Sequence, residues 1–239
     1  LEDHEGDAVR MSEVKIAPIP DLGQRTDEIT IYAGPCSVES AEQFDEVAEC
    51  IADLGLTWIR GGAFKPRTNP HSFQGLGEEA LKIMKSAGDR YNLKTLTEVM
   101  DSAHCQLVAD YVDGLQVGAR NFQNFSLLKK IGEVTADTHQ MVLYKRGFAG
   151  TIAEWLAATD YITDHGNTNV VLCERGIRTF ETATRFTLDI AAVPVIHKQS
   201  LYPVCIDVSH PAGQRDLVPS LAKAAVAAGA DSLMIEVHP

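Results

Sequence analysis

From Glu28 onward the chain alternates between two hydrophobic rhythms. Short runs rich in β-branched and aliphatic residues predict eight strands: ITIYAG (29–34), TWIRG (57–61), KTLTEV (94–99), GLQVGA (114–119), MVLYK (141–145), NVVLCE (169–174), PVCIDV (203–208) and SLMIEV (232–237). Between them, AEQFDEVAECIADLG, LGEEALKIMKSAGDRY, SLLKKIGEV, TIAEWLAATDYITDHG, TFETATRFTLDIAA and VPSLAKAAVAAGAD place apolar residues at helical spacing, several closing near a glycine. A strand followed by a helix, repeated, makes the sheet parallel, because each crossover returns the chain to the same end. Eight such units over roughly 210 residues fit a (β/α)8 TIM barrel better than an open doubly wound sheet of about five or six strands. A nucleotide-binding sheet is disfavoured further, since the chain has neither a Gly-x-Gly-x-x-Gly fingerprint nor a P-loop.

Residues 1–28 lack this rhythm and read as an N-terminal appendage, with Val14, Ile16 and Ile19 suited to a short strand or hairpin; residues 29–239 read as the barrel. Some thirty residues are too few for an independent regulatory domain, so feedback control is expected to need a separate chain. With 239 residues, 45% hydrophobic and 23% charged, the chain can bury a substantial core. Its net charge of -12 argues against nucleic acid, whose phosphates need a broad basic face. There is no long apolar run and the first thirty residues are acidic and polar, so a cytoplasmic protein without a membrane partner is expected. Five cysteines without a Cys-x-x-Cys pair argue against a disulfide framework or zinc knuckle. Cys50, Cys105, Cys173 and Cys205 are read as packing residues, His71, His104, His165 and His197 as structural.

The few cations recur where a barrel keeps its active site, at the C-terminal strand ends. The stretch IRGGAFKPRT (59–68) crowds Arg60, Lys65 and Arg67 beside two glycines, a composition suited to a small anion. In chain order the strand ends supply Cys36, then Arg60 with Lys65, Glu98, Arg120, Lys145 with Arg146, Arg175, Asp207 with His210, and Glu236 with His238. The second, fourth, fifth and sixth thus carry cations. The seventh, eighth and first, neighbours once a barrel closes, carry His210, Glu236 and Cys36, a nitrogen, oxygen and sulfur donor set suited to a divalent metal.

The motifs GPCSVES, RGGAFKPRT, TEVMD, QVGARNFQNF, YKRGFAGTIAEWL, CERGIRTFE, IDVSHPAGQRD and IEVHP, in this order from Gly34 to Pro239, resemble the strand-end motifs of 3-deoxy-D-arabino-heptulosonate 7-phosphate (DAHP) synthases. They are most similar to the short microbial type I beta subgroup related to 3-deoxy-D-manno-octulosonate 8-phosphate synthase. The resemblance implies condensation of phosphoenolpyruvate with erythrose 4-phosphate, the entry step of the shikimate pathway to aromatic amino acids. It implies Arg120, Lys145 and Arg175 on the phosphate of phosphoenolpyruvate, Arg60, Lys65 and Lys145 on its carboxylate, and Arg67 with Thr68 on the sugar phosphate. Lys65, Glu98 and Asp207 would be the catalytic groups. Cys36, His210 and Glu236 would bind manganese, iron, cobalt or zinc. Association into a homodimer or homotetramer is expected, as relatives commonly show.

Two departures from the family pattern stand out. Where the family usually reads DPSH the chain has DVSH, Asp207 to His210, losing a rigid turn residue but no ligand. The sequence also ends at Pro239, ahead of the position where members carry an aspartate metal ligand and the eighth barrel helix, so a barrel without that last helix is expected. Two other readings stay open. An octulosonate synthase would use arabinose 5-phosphate, but its stretch resembles KANRS and KPRT favours the four-carbon sugar. An inactive barrel that binds phosphoenolpyruvate is the other.

Overall fold

The computed structural model describes residues 29–66, 69 and 71–239. The expected appendage over 1–28, together with Arg67 and Thr68, lies outside them. Eight strands run Thr30–Gly34 (β1), Trp58–Arg60 (β2), Lys94–Val99 (β3), Gly114–Val117 (β4), Met141–Lys145 (β5), Val170–Glu174 (β6), Val204–Asp207 (β7) and Ser232–Glu236 (β8). All neighbours pair in parallel and β1 pairs β8, Thr30 opposite Ser232 and Gly34 opposite Glu236, so the sheet closes as a barrel in sequence order. Helices cover its outside: Ala41–Asp53 (α1), Glu78–Tyr91 (α2), Cys105–Ala109 (α3), Phe125–Val134 (α4), Ile152–Thr163 (α5), Ala192–Gln199 (α6), the single turn Ser209–Ala212 (α7) and Val218–Ala227 (α8). None is long and apolar enough to cross a membrane. Among the described residues no helix follows β8.

The helices form where local and tertiary signals agree. Helix α1 buries Phe44, Val47, Ala48 and Ile51, one stripe at helical spacing, and the Ser40 hydroxyl caps its start by accepting the Gln43 N–H at 3.1 Å. Each large side chain in such a stripe contributes about 1.5–3 kcal/mol by leaving water. Helix α5 opens with a reciprocal box, Thr151 capping the Glu154 N–H while the Glu154 carboxylate accepts from the Thr151 N–H. Here Trp155, fully buried, seats the helix on the sheet.

Period-two alternation divides the strands into two cores. Outward residues such as Ile59, Leu115, Val142, Tyr144, Leu172 and Ile206 pack under the helices. Inward residues Tyr32, Trp58, Leu96, Met141, Leu143, Val171, Cys173, Cys205 and Met234 fill the barrel itself. Two positions further along seven of the strands, β4 excepted, the residues on the same inward face become Gly34, Arg60, Glu98, Lys145, Arg175, Asp207 and Glu236. The apolar filling thus gives way to a charged layer at the C-terminal mouth.

Several expectations are corrected. TFETATRFTLDIAA (179–192) has helical spacing, yet its residues up to Asp189 form an irregular loop, and the helix falls at Ala192–Gln199. The loop is held instead by an antiparallel bridge between Ile177 and Thr187 and by the buried carboxylate of Glu174, whose Oε1 accepts the N–H groups of Gly176 at 2.6 Å and Asp189 at 3.4 Å. Those backbone partners outweigh the helical pattern. Cys50, read as packing, is exposed on α1, while Cys105, Cys173 and Cys205 are buried. His197 lies within α6, 2.8 Å from Asp231. The departure at Val208 has a backbone consequence: its N–H donates to Met234 O at 3.2 Å, a link from the β7 end to β8 that proline could not make.

Candidate anion site at the barrel mouth

Glu98, on the inward face near the end of β3, marks the centre. Burial raises its pKa, and the opposing pull of Lys145, Lys65, Arg60 and Arg120 does not fully offset that. Its Oε2 accepts from Gln116 Nε2 at 3.3 Å, whereas Oε1 is shielded from solvent without a partner. Four cations from β2, the loop after it, β4 and β5 therefore face one carboxylate. Gly118 makes room for it: a Cβ there would stand 2.0 Å from Glu98 Oε1.

Arg60, Lys65 and Lys145 are each held by a specific hydrogen-bond partner. Arg60, 6% exposed, donates from Nη1 to Pro35 O at 2.9 Å. Lys65 Nζ donates to Cys36 O at 2.7 Å and lies 3.1 Å from Cys36 Sγ. The neck of the loop carrying Lys65 is closed by Lys65 N–H to Gln74 O at 2.8 Å and Gly77 N–H to Ala63 O at 3.0 Å. Lys145, 4% exposed, pairs with Asp207 Oδ2 at 2.7 Å. Arg175 is 5% exposed, and its Nη1 has no hydrogen-bond partner. Arg120, at the barrel rim, lies over the Phe148 ring at 5.8 Å.

Strand parity separates the two cations that end the fifth strand. Lys145 points inward, but Arg146, one residue on, points outward and donates to Glu174 Oε2 at 3.0 Å, Asp189 Oδ2 at 2.7 Å and Gly150 O at 2.8 Å. Arg146 is thus a buckle for the loop after β6. Counting two residues from Leu143 would have found this.

Asp207 sits between the cations and the proposed metal donors. Burial would raise its carboxyl, but His210 and Lys145 hold it well below the usual range. Its Oδ1 accepts the N–H groups of Ser209 and His210 at 3.2 and 3.1 Å. His210 Nδ1 lies 2.7 Å from Asp207 Oδ2. Asp207 pulls the imidazole toward its charged form, but burial with Lys145 and Arg60 outweighs it and its pKa falls below the ordinary value. A neutral ring is the form that ligates metal. His210 Nε2 faces Glu236 Oε2 at 3.7 Å, and the Glu236 N–H donates to Ser209 Oγ at 2.9 Å. Among the described residues no three His, Cys, Asp or Glu side chains are gathered closely enough to hold a metal as they stand. The donors fit in kind: imidazole and carboxylate meet, and the thiol of Cys36 is beside Lys65, two residues past Gly34, which registers with Glu236. His238 turns away, its Nε2 3.5 Å from Gln43 Nε2.

A parallel eight-stranded barrel whose C-terminal mouth gathers cations around a shielded carboxylate is, as a class, a (β/α)8 barrel protein. The sequence pattern of the DAHP synthetase I family matches residues 21–239, and the chain belongs to that family. It is 52% identical over 210 residues to the phospho-2-dehydro-3-deoxyheptonate aldolase of Thermotoga maritima, a match covering 88% of this chain and 61% of that protein. The crystal structure of that DAHP synthase superposes with a TM-score of 0.84, covering 88% of this chain and 61% of the other. A truncated form of the Thermotoga maritima 3-deoxy-D-arabino-heptulosonate 7-phosphate synthase is 49% identical with a TM-score of 0.80, covering 88% and 76%. The 2-dehydro-3-deoxyphosphooctonate aldolase of Caulobacter vibrioides is 31% identical over 237 residues, covering 89% of this chain and 78% of that protein. Type I DAHP synthases are in general metal-dependent.

Proposed function

We propose that the chain carries the catalytic barrel of a cytoplasmic DAHP synthase, condensing phosphoenolpyruvate with erythrose 4-phosphate at the head of the shikimate pathway. The observation that carries the reading is the convergence of Arg60, Lys65, Arg120 and Lys145 on Glu98. Phosphoenolpyruvate bears a phosphate and a carboxylate close together, and a cluster of several cations can meet both. Arg120, Lys145 and Arg175 take the phosphate, the unpartnered Nη1 of Arg175 giving it a donor to spare. Arg60, Lys65 and Lys145 take the carboxylate. Arg67 and Thr68 take the sugar phosphate, on the strength of the KPRT motif alone.

In this reading the enol carbon forms a bond to the aldehyde carbon, and Lys65 gives a proton to the resulting alkoxide. Glu98 then accepts a proton from water as the water oxygen adds to the remaining cationic carbon. The bond from that carbon to the bridging oxygen then breaks, phosphate leaving with the oxygen and the electron pair, and the new hydroxyl passes its proton to the departing phosphate as the ketone forms. Burial raises the Glu98 pKa, which suits a proton acceptor working near neutrality. Asp207 positions rather than reacts, clamping the Lys145 ammonium and orienting His210. Manganese, iron, cobalt or zinc held by Cys36, His210 and Glu236 would polarise the aldehyde oxygen. A homodimer or homotetramer is the proposed assembly.

The test is phosphate release from phosphoenolpyruvate with each sugar in turn. Release with erythrose 4-phosphate alone is expected. Release with arabinose 5-phosphate alone would assign the octulosonate reaction, and release with neither would leave a binding protein.

A further inference from the structure

Arg175 poses a physical problem that the proposed chemistry does not by itself resolve. A guanidinium 5% exposed with one nitrogen unpartnered should be costly to keep charged, and burial does pull its pKa below the ordinary value despite Asp207 nearby. Carboxylates usually meet this cost. Here two phenyl rings do: the Arg175 Cζ lies 4.2 Å from the Phe186 centroid and 4.9 Å from that of Phe148. The rings stack on each other at 5.2 Å with 10° between planes.

The two rings come from different loops, and the backbone fixes both. Phe148 follows β5; its carbonyl accepts the Arg178 N–H at 2.8 Å. Phe186 belongs to the loop after β6; its N–H donates to Pro211 O at 3.0 Å, and the Ile177–Thr187 bridge and the Arg146–Asp189 pair hold its flanks. Three more guanidiniums surround the stack, Arg120 and Arg178 at 5.8 and 5.1 Å from Phe148 and Arg185 at 6.0 Å from Phe186. Among the described residues none of these four arginines forms a salt bridge. A ring face attracts a guanidinium through its quadrupole without cancelling its charge, whereas a carboxylate would cancel it.

We propose that Phe148 and Phe186 are positioning residues for a phosphate dianion: their stack sets the plane of Arg175, gathers Arg120 and Arg178 beside it, and leaves these guanidiniums without a salt-bridge partner until the anion arrives. The inference rests on the reading of Arg120 and Arg175 as phosphate ligands. It differs from ordinary packing in one respect, since leucine would fill the space but offer no ring face.

Calorimetric titration with phosphoenolpyruvate, and separately with inorganic phosphate, tests this on the parent, F186L, F186Y, F148L and R175A, each with a thermal melt. Phe186→Leu should weaken both anions roughly three- to thirtyfold at nearly unchanged melting temperature, and Phe186→Tyr should restore affinity to within about twofold of the parent. In turnover, the KM for phosphoenolpyruvate should rise by the same factor while that for the sugar phosphate stays put. Phe148→Leu gives the same reading from the other loop should the Phe186 variant fail to fold. Leucine variants that bind like the parent, or a tyrosine variant as weak as the leucine one, overturn the proposal while leaving the anion site standing. If Arg175→Ala binds phosphoenolpyruvate like the parent, the anion site itself is misplaced and the proposal goes with it.

Discussion

Gly118 and Glu98 compete for one space. A methyl at 118 would stand 2.0 Å from Glu98 Oε1, but the atom it meets is the far end of a flexible side chain. Gly118→Ala should therefore fold, displace the carboxylate, and lower kcat about tenfold to a hundredfold with little change in melting temperature. Circular dichroism melts beside phosphate-release kinetics separate this from simple misfolding; unchanged kcat would mean that Glu98 need not stand where it does. Glu98 also makes a pH prediction. Its folded pKa is raised, so the folded state binds the proton more tightly than the unfolded chain and loses stability as pH climbs from the ordinary carboxylate value through the raised one. Glu98→Gln cannot ionise. As pH rises above the ordinary carboxylate range the melting temperature of the parent should fall relative to that of the variant; parallel curves would show a carboxyl that titrates normally.

At the scale of elements, the loop between β6 and α6 depends on one buried arginine. Arg146 meets Glu174, which is fully buried, and Asp189, 25% exposed, so Arg146→Ala leaves Glu174 without its charge partner. Breaking a buried pair from one side costs about 3–5 kcal/mol, and the melting temperature should drop accordingly. Limited proteolysis should cut first within 176–190, whereas cleavage there at the parent's rate would mean the bridge and backbone bonds suffice. This loop is also where the sequence misled. Eight strands were legible because each couples a β-rich run to a polar or reactive residue at its end. TFETATRFTLDIAA looked helical because spacing records where apolar residues lie, not what holds them. Its partners, the Glu174 carboxylate and the Phe148 ring, belong to other segments. The charged layer was legible in composition, but which of Lys145 and Arg146 faces inward followed only from strand parity. The role of Gly118 needed the position of Glu98 in space.

For the whole molecule, closure decides which distant residues share a site. Cys36 and Glu236 lie 200 positions apart in the sequence, yet Gly34 registers with Glu236 across the β1–β8 pairing. Cobalt(II) titration should give a thiolate charge-transfer band in the parent, and Cys36→Ala should lose that band and bind the metal at least about tenfold more weakly. Identical spectra would remove the thiol from the donor set. The same pairing sets an order of assembly. Every other pair of neighbouring strands joins residues between 18 and 36 positions apart, and this one joins Thr30 to Ser232. The entropy of closing a loop rises with its length and must be met before the contact gives anything back, so this seam closes after the local pairs have formed. A chain still open there has its thiol and its carboxylate on separate edges. A refolding chain therefore cannot bring the proposed metal donors together until β1 and β8 have met, and metal capture in a stopped-flow refolding trace would time that step.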